Sequence, residues 1–121
     1  MTKTILVVED DAVARAGLAA ILEENGYAVR TAANAGDAIR ELDAPEPVDL
    51  VLLDMMLRGS DGWQVFAARR KGSAAAVVPV IVVTGLPVAG DGWAKELGAA
   101  ALLQKPLDVP ALLAAVGEHV R

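Results

Sequence analysis

Apolar residues along this chain gather in short, unbroken runs separated by longer amphipathic stretches. Three runs are continuous: Ile5-Leu6-Val7-Val8, Leu50-Val51-Leu52-Leu53 and Val77-Val78-Pro79-Val80-Ile81-Val82-Val83. None alternates with polar residues, which is how strands buried on both faces of a parallel sheet read. Two weaker runs are Ala28-Val29-Arg30-Thr31 and Ala100-Ala101-Leu102-Leu103. The first alternates, so it predicts an edge strand.

The stretches between predict five helices. The first runs from Ala12 to about Asn25, with Val13, Leu18, Ile21 and Leu22 near helical spacing, Asp11 as N-cap and Gly26 as stop. The second spans about Gly36 to Leu42 and is closed by Ala44-Pro45-Glu46-Pro47. The third spans about Gly62 to Arg70 behind Asp61. The fourth, about Asp91 to Leu97, lies between Gly90 and Gly98. The last runs from about Val109 to His119, capped by Asp108, with Pro110 in the first turn where its missing N–H is harmless. Strict strand–helix alternation predicts an α/β fold: a doubly wound, five-stranded parallel sheet with five helices on its two faces.

Composition then removes whole classes of chemistry. The chain has 121 residues, one domain's worth, and 55% of them are hydrophobic. Alanine supplies 24 of them and aromatics only four, which suits helices packed closely on a sheet. The absence of cysteine excludes disulfide frameworks, thiolate metal sites and cysteine nucleophiles. His119 is the one histidine, so a polyhistidine zinc site or a Ser-His-Asp triad has no material. A net charge of −5 argues against direct binding of nucleic acid. There is no apolar run of about 18 residues and no leader-like start, which leads to the expectation of a cytoplasmic protein without a membrane span.

What remains is carboxylate, hydroxyl and lysine chemistry, and its residues follow the apolar runs. Glu9-Asp10-Asp11 follows the first strand, Asp54 the third, Thr84-Gly85 the fourth and Gln104-Lys105-Pro106 the fifth. In an open parallel sheet the functional crevice lies outside the carboxyl ends of the strands. Glu9, Asp10 and Asp54 would therefore meet there. Two such charges about 5 Å apart repel by roughly 3 kcal/mol at an effective dielectric of about 20. A raised pKa or a bound cation must relieve them. Oxygen-only ligands select a hard divalent ion, Mg²⁺ first and Mn²⁺ next. A metal, a lysine and a hydroxyl around one carboxylate form a clamp for a phosphoryl group, and Asp54 can itself accept phosphoryl as a mixed anhydride.

With these residues in place the sequence resembles the receiver domain of bacterial two-component response regulators over essentially its whole length. The resemblance is carried by ILVVEDD at Ile5 to Asp11, DLVLLDMMLRGSDG at Asp49 to Gly62, Thr84-Gly85, Gly98-Ala99 and Lys105-Pro106. It implies the flavodoxin-like receiver topology, as in chemotaxis regulators, with residues 1–121 forming a single receiver domain. It implies phosphorylation of Asp54 by a phosphohistidine on a sensor histidine kinase or a histidine phosphotransfer protein. It further implies Asp10 as a direct Mg²⁺ ligand, Glu9 acting through water, and the backbone carbonyl of Met56 as a further ligand. Thr84 would donate to the phosphoryl oxygen and Lys105 would pair with it, its reach set by a cis Lys105–Pro106 bond. Output would pass through the fourth helix, fifth strand and fifth helix to an effector protein, with the domain acting as a switch rather than a turnover enzyme. His119 is not a phosphoryl carrier.

The chain also departs from that pattern. Arg58 stands where the family usually has proline, and Leu102 where it usually has Tyr or Phe. These departures motivate an alternative, a constitutive interaction scaffold with impaired switching. The receiver part of a hybrid histidine kinase or of a DNA-binding regulator is another. An aspartyl-phosphate phosphatase is disfavoured by Met56, where a second acid belongs, and a flavin module by acids where a phosphate loop belongs. Trp63 and Trp93 read as packing residues, and Arg69-Arg70-Lys71 as a solvated helix end. Met56 and Leu86, which flank the site in the family, are apolar and hold no attacking water, so slow loss of the phosphoryl group is expected. Installing Met56→Asn together with Leu86→Glu should shorten the phosphoryl lifetime in a phosphate-release assay; an unchanged or longer lifetime contradicts this.

Overall fold

In the computed structural model, residues 2–54, 62, 64–66, 78–85, 92, 96 and 98–120 are described. Five parallel strands form one sheet: β1 (Thr4–Val8), β2 (Ala28–Ala32), β3 (Leu50–Asp54), β4 (Val80–Thr84) and β5 (Ala101–Gln104). Their order is β2-β1-β3-β4-β5, so the alternating β2 is an edge strand as its pattern predicts. Three helices are described in full: α1 (Ala12–Glu24), α2 (Ala35–Asp43) and α3 (Val109–His119). Of the two other expected helices, residues 64–66 and residues 92 and 96 are helical among the described residues. The expectations for Met56, Arg58, Asp61, Trp63, Arg69-Arg70-Lys71, Leu86, Asp91 and Trp93 lie outside the described residues.

The unbroken apolar runs follow from two cores, one on each side of the sheet. Leu6, Val8, Val51, Leu53, Val80 and Val82 pack with Ala35 and Ala38 of α2 and with Val65 and Phe66. Ile5, Val7, Leu50, Leu52, Ile81 and Val83 pack with Leu22 of α1 and with Leu112 and Val116 of α3. Successive strand residues point to opposite faces, so a sheet covered on both must be apolar at every position. β3 and β4 are buried along their whole length.

Strand ends differ from the apolar runs in a consistent way. β4 starts at Val80, because Pro79 has no N–H for the ladder; its carbonyl instead accepts from Val51 N at 2.9 Å. At the other end, Asp54, Thr84 and Gln104 are the last residues of their strands rather than the first beyond them.

The caps follow side-chain chemistry. Asp11 accepts from Ala14 N at 2.8 Å and Asp108 from Ala111 N at 3.1 Å, both at expected N-caps. α2 starts one residue before its expected position because Asn34 caps it, accepting from Asp37 N at 2.8 Å. Beyond α1, Gly26 takes a φ of +90°, a left-handed conformation that glycine adopts at little cost.

Register is pinned at the sheet's amino edge. Thr4 N donates to Asp49 Oδ2 at 2.8 Å, and Asp49 N donates to Thr4 O at 2.8 Å. A one-residue slip of β1 against β3 would exchange the faces of one strand and break this pair. The edge strand β2 is tied down by Arg30, whose Nε donates to Glu41 Oε1 at 2.7 Å and whose Nη1 donates to Glu46 O at 2.9 Å. No helix among the described residues is long and apolar enough to cross a membrane.

Gly17 lies exposed inside α1, and a Cβ there would have nothing within 4 Å. Gly17→Ala removes the entropy penalty without a clash and is expected to stabilise the protein by about 0.5–1 kcal/mol. Gly26→Ala, with its positive φ, is expected to destabilise. Urea midpoints of the two variants check both signs.

Candidate functional site

The order of strands dictates where the acids meet. After β1 the chain adds β2 on one side, then returns past β1 to lay β3 on the other, so the direction of winding reverses between β1 and β3. At such a point the connections leave in opposite directions and open a crevice at the carboxyl edge. Val8 pairs with Leu53, so the residues that follow, Glu9 and Asp54, stand side by side. Asp54 lies opposite Val83, and Thr84 opposite Gln104. Lys105 comes next, its N–H donating to Thr84 O at 2.8 Å. The Lys105–Pro106 bond is cis, as expected.

Strand alternation then decides which side chains share a face. Val7, Leu52 and Leu103 point into the core beneath α1 and α3. Glu9, Asp54 and Lys105 each come two residues later and continue on that side. Thr84 shares the parity of Val80 and Val82 and so belongs to the opposite face. Carboxylate oxygens of Glu9, Asp10 and Asp54 all lie within 4.8 Å of one another. Lys105 Nζ bridges two of them, donating to Glu9 Oε1 at 3.0 Å and to Asp54 Oδ2 at 3.1 Å. The contact with Asp54 suits a lysine gathered around that carboxylate; the longer Glu9 side chain adds the second.

Burial sets the electrostatics. Glu9 is 2% exposed, Asp54 5% and Thr84 2%, while Asp10 is half-buried. The pKa of Glu9 is raised to about 7, first by burial and then by its contact with Asp54, against the opposing pull of Lys105. Burial works against the charge of Lys105, but its hydrogen bonds to Glu9 and Asp54 outweigh it and push its pKa up. One ammonium does not neutralise two buried acids. Glu9 Oε2 is buried without a hydrogen-bond partner among the described residues. Such an orphan oxygen calls for a partner that the described residues do not supply. A cluster of hard oxygen donors with a spare buried lone pair fits a small divalent cation.

Of the candidate residues, Glu9, Asp10, Asp54 and Lys105 are brought together. Thr84 stands at the adjoining strand end and is joined to Lys105 through the backbone. Met56 lies outside the described residues. Asp11 is committed to capping α1, which leaves Glu9 and Asp10 as the acid pair. Leu102 packs against the core shared with α2. His119 is half-buried in the last turn of α3, its Nε2 4.0 Å from Glu118 Oε2, rather than fully solvated.

Sequence reasoning missed Arg15. Its Nη1 donates to Glu9 O at 2.9 Å and to Asp10 O at 3.4 Å. The signal was available: long side chains in the first turn of a helix lean back toward its amino end, and the acids lie there.

Comparison with known proteins agrees with this geometry. The family model described as the response regulator receiver domain matches residues 5–117. PilH of Pseudomonas aeruginosa is 36% identical over 110 residues, 90% of each chain. The phosphate regulon transcriptional regulatory protein PhoB of Escherichia coli is 34% identical over 122 residues, covering all of this chain and 53% of PhoB. This chain thus spans about half the length of PhoB. Among solved structures, the receiver domain of the sensor histidine kinase PA1611 from P. aeruginosa matches with a TM-score of 0.86 and 27% identity, over 98% of each chain. That structure holds a magnesium ion coordinated in its active-site cleft.

The raised pKa of Glu9 has a consequence for the metal-free protein. Its folded value lies above the unfolded 4.5, so the folded state holds a proton that the unfolded state has released. Stability is therefore expected to be highest below pH 4.5 as far as this group is concerned, and to fall as pH rises to about 7. Urea unfolding in chelator across this range checks it, and Glu9→Gln should flatten the profile.

Proposed function

The chain belongs to the response regulator receiver domain family of two-component signalling, and from that premise we propose that it accepts a phosphoryl group on Asp54 and thereby switches partner binding. The observation that carries the proposal is the convergence of Glu9, Asp10 and Asp54 within 4.8 Å, bridged by Lys105 at the carboxyl edge of the sheet. Receiver domains are signalling domains rather than classical enzymes. The catalysis proposed is of the chain's own modification.

In this reading an Asp54 carboxylate oxygen attacks the phosphorus of a phosphohistidine. The new O–P bond forms as the P–N bond breaks, and the imidazole leaves as the neutral base once protonated. Lys105, already bonded to Asp54, follows the incoming group and pairs with a phosphoryl oxygen. Thr84 donates its hydroxyl to another. Glu9 and Asp10, with Asp54 and the backbone carbonyl of Met56, would hold Mg²⁺. When bound, that ion supplies positive charge to the phosphoryl oxygens in flight. Mn²⁺ would satisfy the same ligands.

The donor would be a sensor histidine kinase or a histidine phosphotransfer protein. The effector would meet the surface around β5 and α3 together with the helix that precedes β5. A net charge of −5 favours protein partners over direct nucleic-acid contact, and a cytoplasmic site of action accompanies this chemistry. PilH is matched over 90% of its length and PhoB over 53%, so the same receiver unit serves chains of different extent. Residues 1–121 would act as one receiver domain in either setting.

Incubation with acetyl phosphate and Mg²⁺ should add the mass of one phosphoryl group, readable by intact-protein mass spectrometry. Asp54→Asn should abolish the gain, and chelator should suppress it. Lys105→Met should slow it by roughly 100-fold or more if the lysine stabilises the transferring group as a preorganised cation. Undiminished labelling of Asp54→Asn would sink the site assignment. Beryllofluoride with Mg²⁺ distinguishes a switch from a fixed scaffold: amide resonances of β5 and α3 should shift on binding.

A further inference from the structure

The turn that carries Glu9 and Asp10 is fixed at three points. Glu9 N donates to Ala32 O at 3.0 Å, anchoring the turn to the end of β2. The Asp11 side chain caps Ala14 N, anchoring it to α1. The third point is Arg15, whose Nη1 reaches the carbonyl oxygens of both Glu9 and Asp10. Asp11 O also accepts from Arg15 N at 2.9 Å, so one residue closes the first helical turn and holds the acid loop.

We infer that Arg15 is a positioning residue for the divalent-cation site: its guanidinium holds the two carbonyls so that the Glu9 and Asp10 carboxylates stay converged on Asp54. The inference rests on reading that cluster as a cation site. Its physical basis is the mutual repulsion of the acids. Left free, the turn relaxes by swinging a carboxylate out to water, and cation binding must then reorder it. A charge-assisted bond from Arg15 to the two backbone carbonyls opposes that relaxation. Ligands held by such outer contacts bind metal more tightly, typically by about 10- to 100-fold. Simple electrostatics gives the opposite sign. Arg15 is a cation near the site, so deleting its charge alone would strengthen Mg²⁺ binding.

Titration calorimetry of Mg²⁺ into the metal-free protein separates these outcomes. Arg15→Met is expected to weaken Mg²⁺ binding roughly 10-fold or more. Arg15→Lys, which keeps the charge and one hydrogen bond, should weaken it only a few-fold. Urea midpoints in chelator, measured in parallel, report any general loosening. A lowered midpoint with unchanged Mg²⁺ affinity would assign Arg15 a merely structural role and overturn the inference. Tighter binding by Arg15→Met would overturn it too. Should Arg15→Met not fold, Arg15→Lys decides alone, and affinity equal to the unaltered protein's overturns it. Absence of Mg²⁺ binding by the unaltered protein removes the cation reading and this inference together. Binding by the unaltered protein and equally by Arg15→Met removes this inference alone.

Discussion

Glu9 and Asp54 are held next to each other by backbone register, not by attraction. Their charges repel, and the sheet does not let them part, because Val8 and Leu53 behind them pair in register and are both locked into the core shared with α2. Lys105 offsets part of this repulsion through its bonds to both acids. Burial, and after it the contact with Asp54, still raises the pKa of Glu9, and one of its oxygens is left without a partner among the described residues. The domain thus carries a site whose unfavourable electrostatics are relieved by a cation or a proton, and the stability of the sheet keeps it so.

That constraint explains why the framework is so uniformly apolar. To keep two acids crowded at a sheet edge, strand register must resist a slip that would relieve them. Burial on both faces of β3 and β4 supplies much of that resistance. Asp49, bonded twice to Thr4 at the opposite edge, supplies a polar lock on the same pair of strands. Arg15 extends this logic to the loop, where no ladder hydrogen bonds operate. Three different contacts, one apolar and two polar, therefore serve a single distance.

Much of this was legible in the residues. The unbroken runs predicted strands buried on both faces, the alternation of Ala28-Val29-Arg30-Thr31 predicted the edge, and Asp11 and Asp108 predicted caps. Acids, hydroxyl and lysine after successive runs predicted a shared edge. The run before Val80 was overread because apolar character continues through Pro79, where the ladder cannot. Asn34 was missed as the cap of α2 because Gly36, a poor helix former, masks the helical signal of Ala35. The double contact of Lys105 and the clamp from Arg15 depend on side-chain reach across contacts far apart in the sequence or folded back on it.

Residue identity by itself determined the class of chemistry: hard oxygen ligands from carboxylates, no thiol, and a single imidazole, His119, in the last turn of α3. Hydrophobic periodicity determined the parallel sheet, since only two-sided burial makes such runs favourable. Tertiary structure alone decided the pairings. Glu9 meets Asp54 because β3 returns to the far side of β1, and Lys105 reaches both because its strand places it on the same face. Proximity between residues separated by 51 and 96 positions is a property of topology and reach. Repulsion between the acids would have kept them apart in any chain not forced into that register.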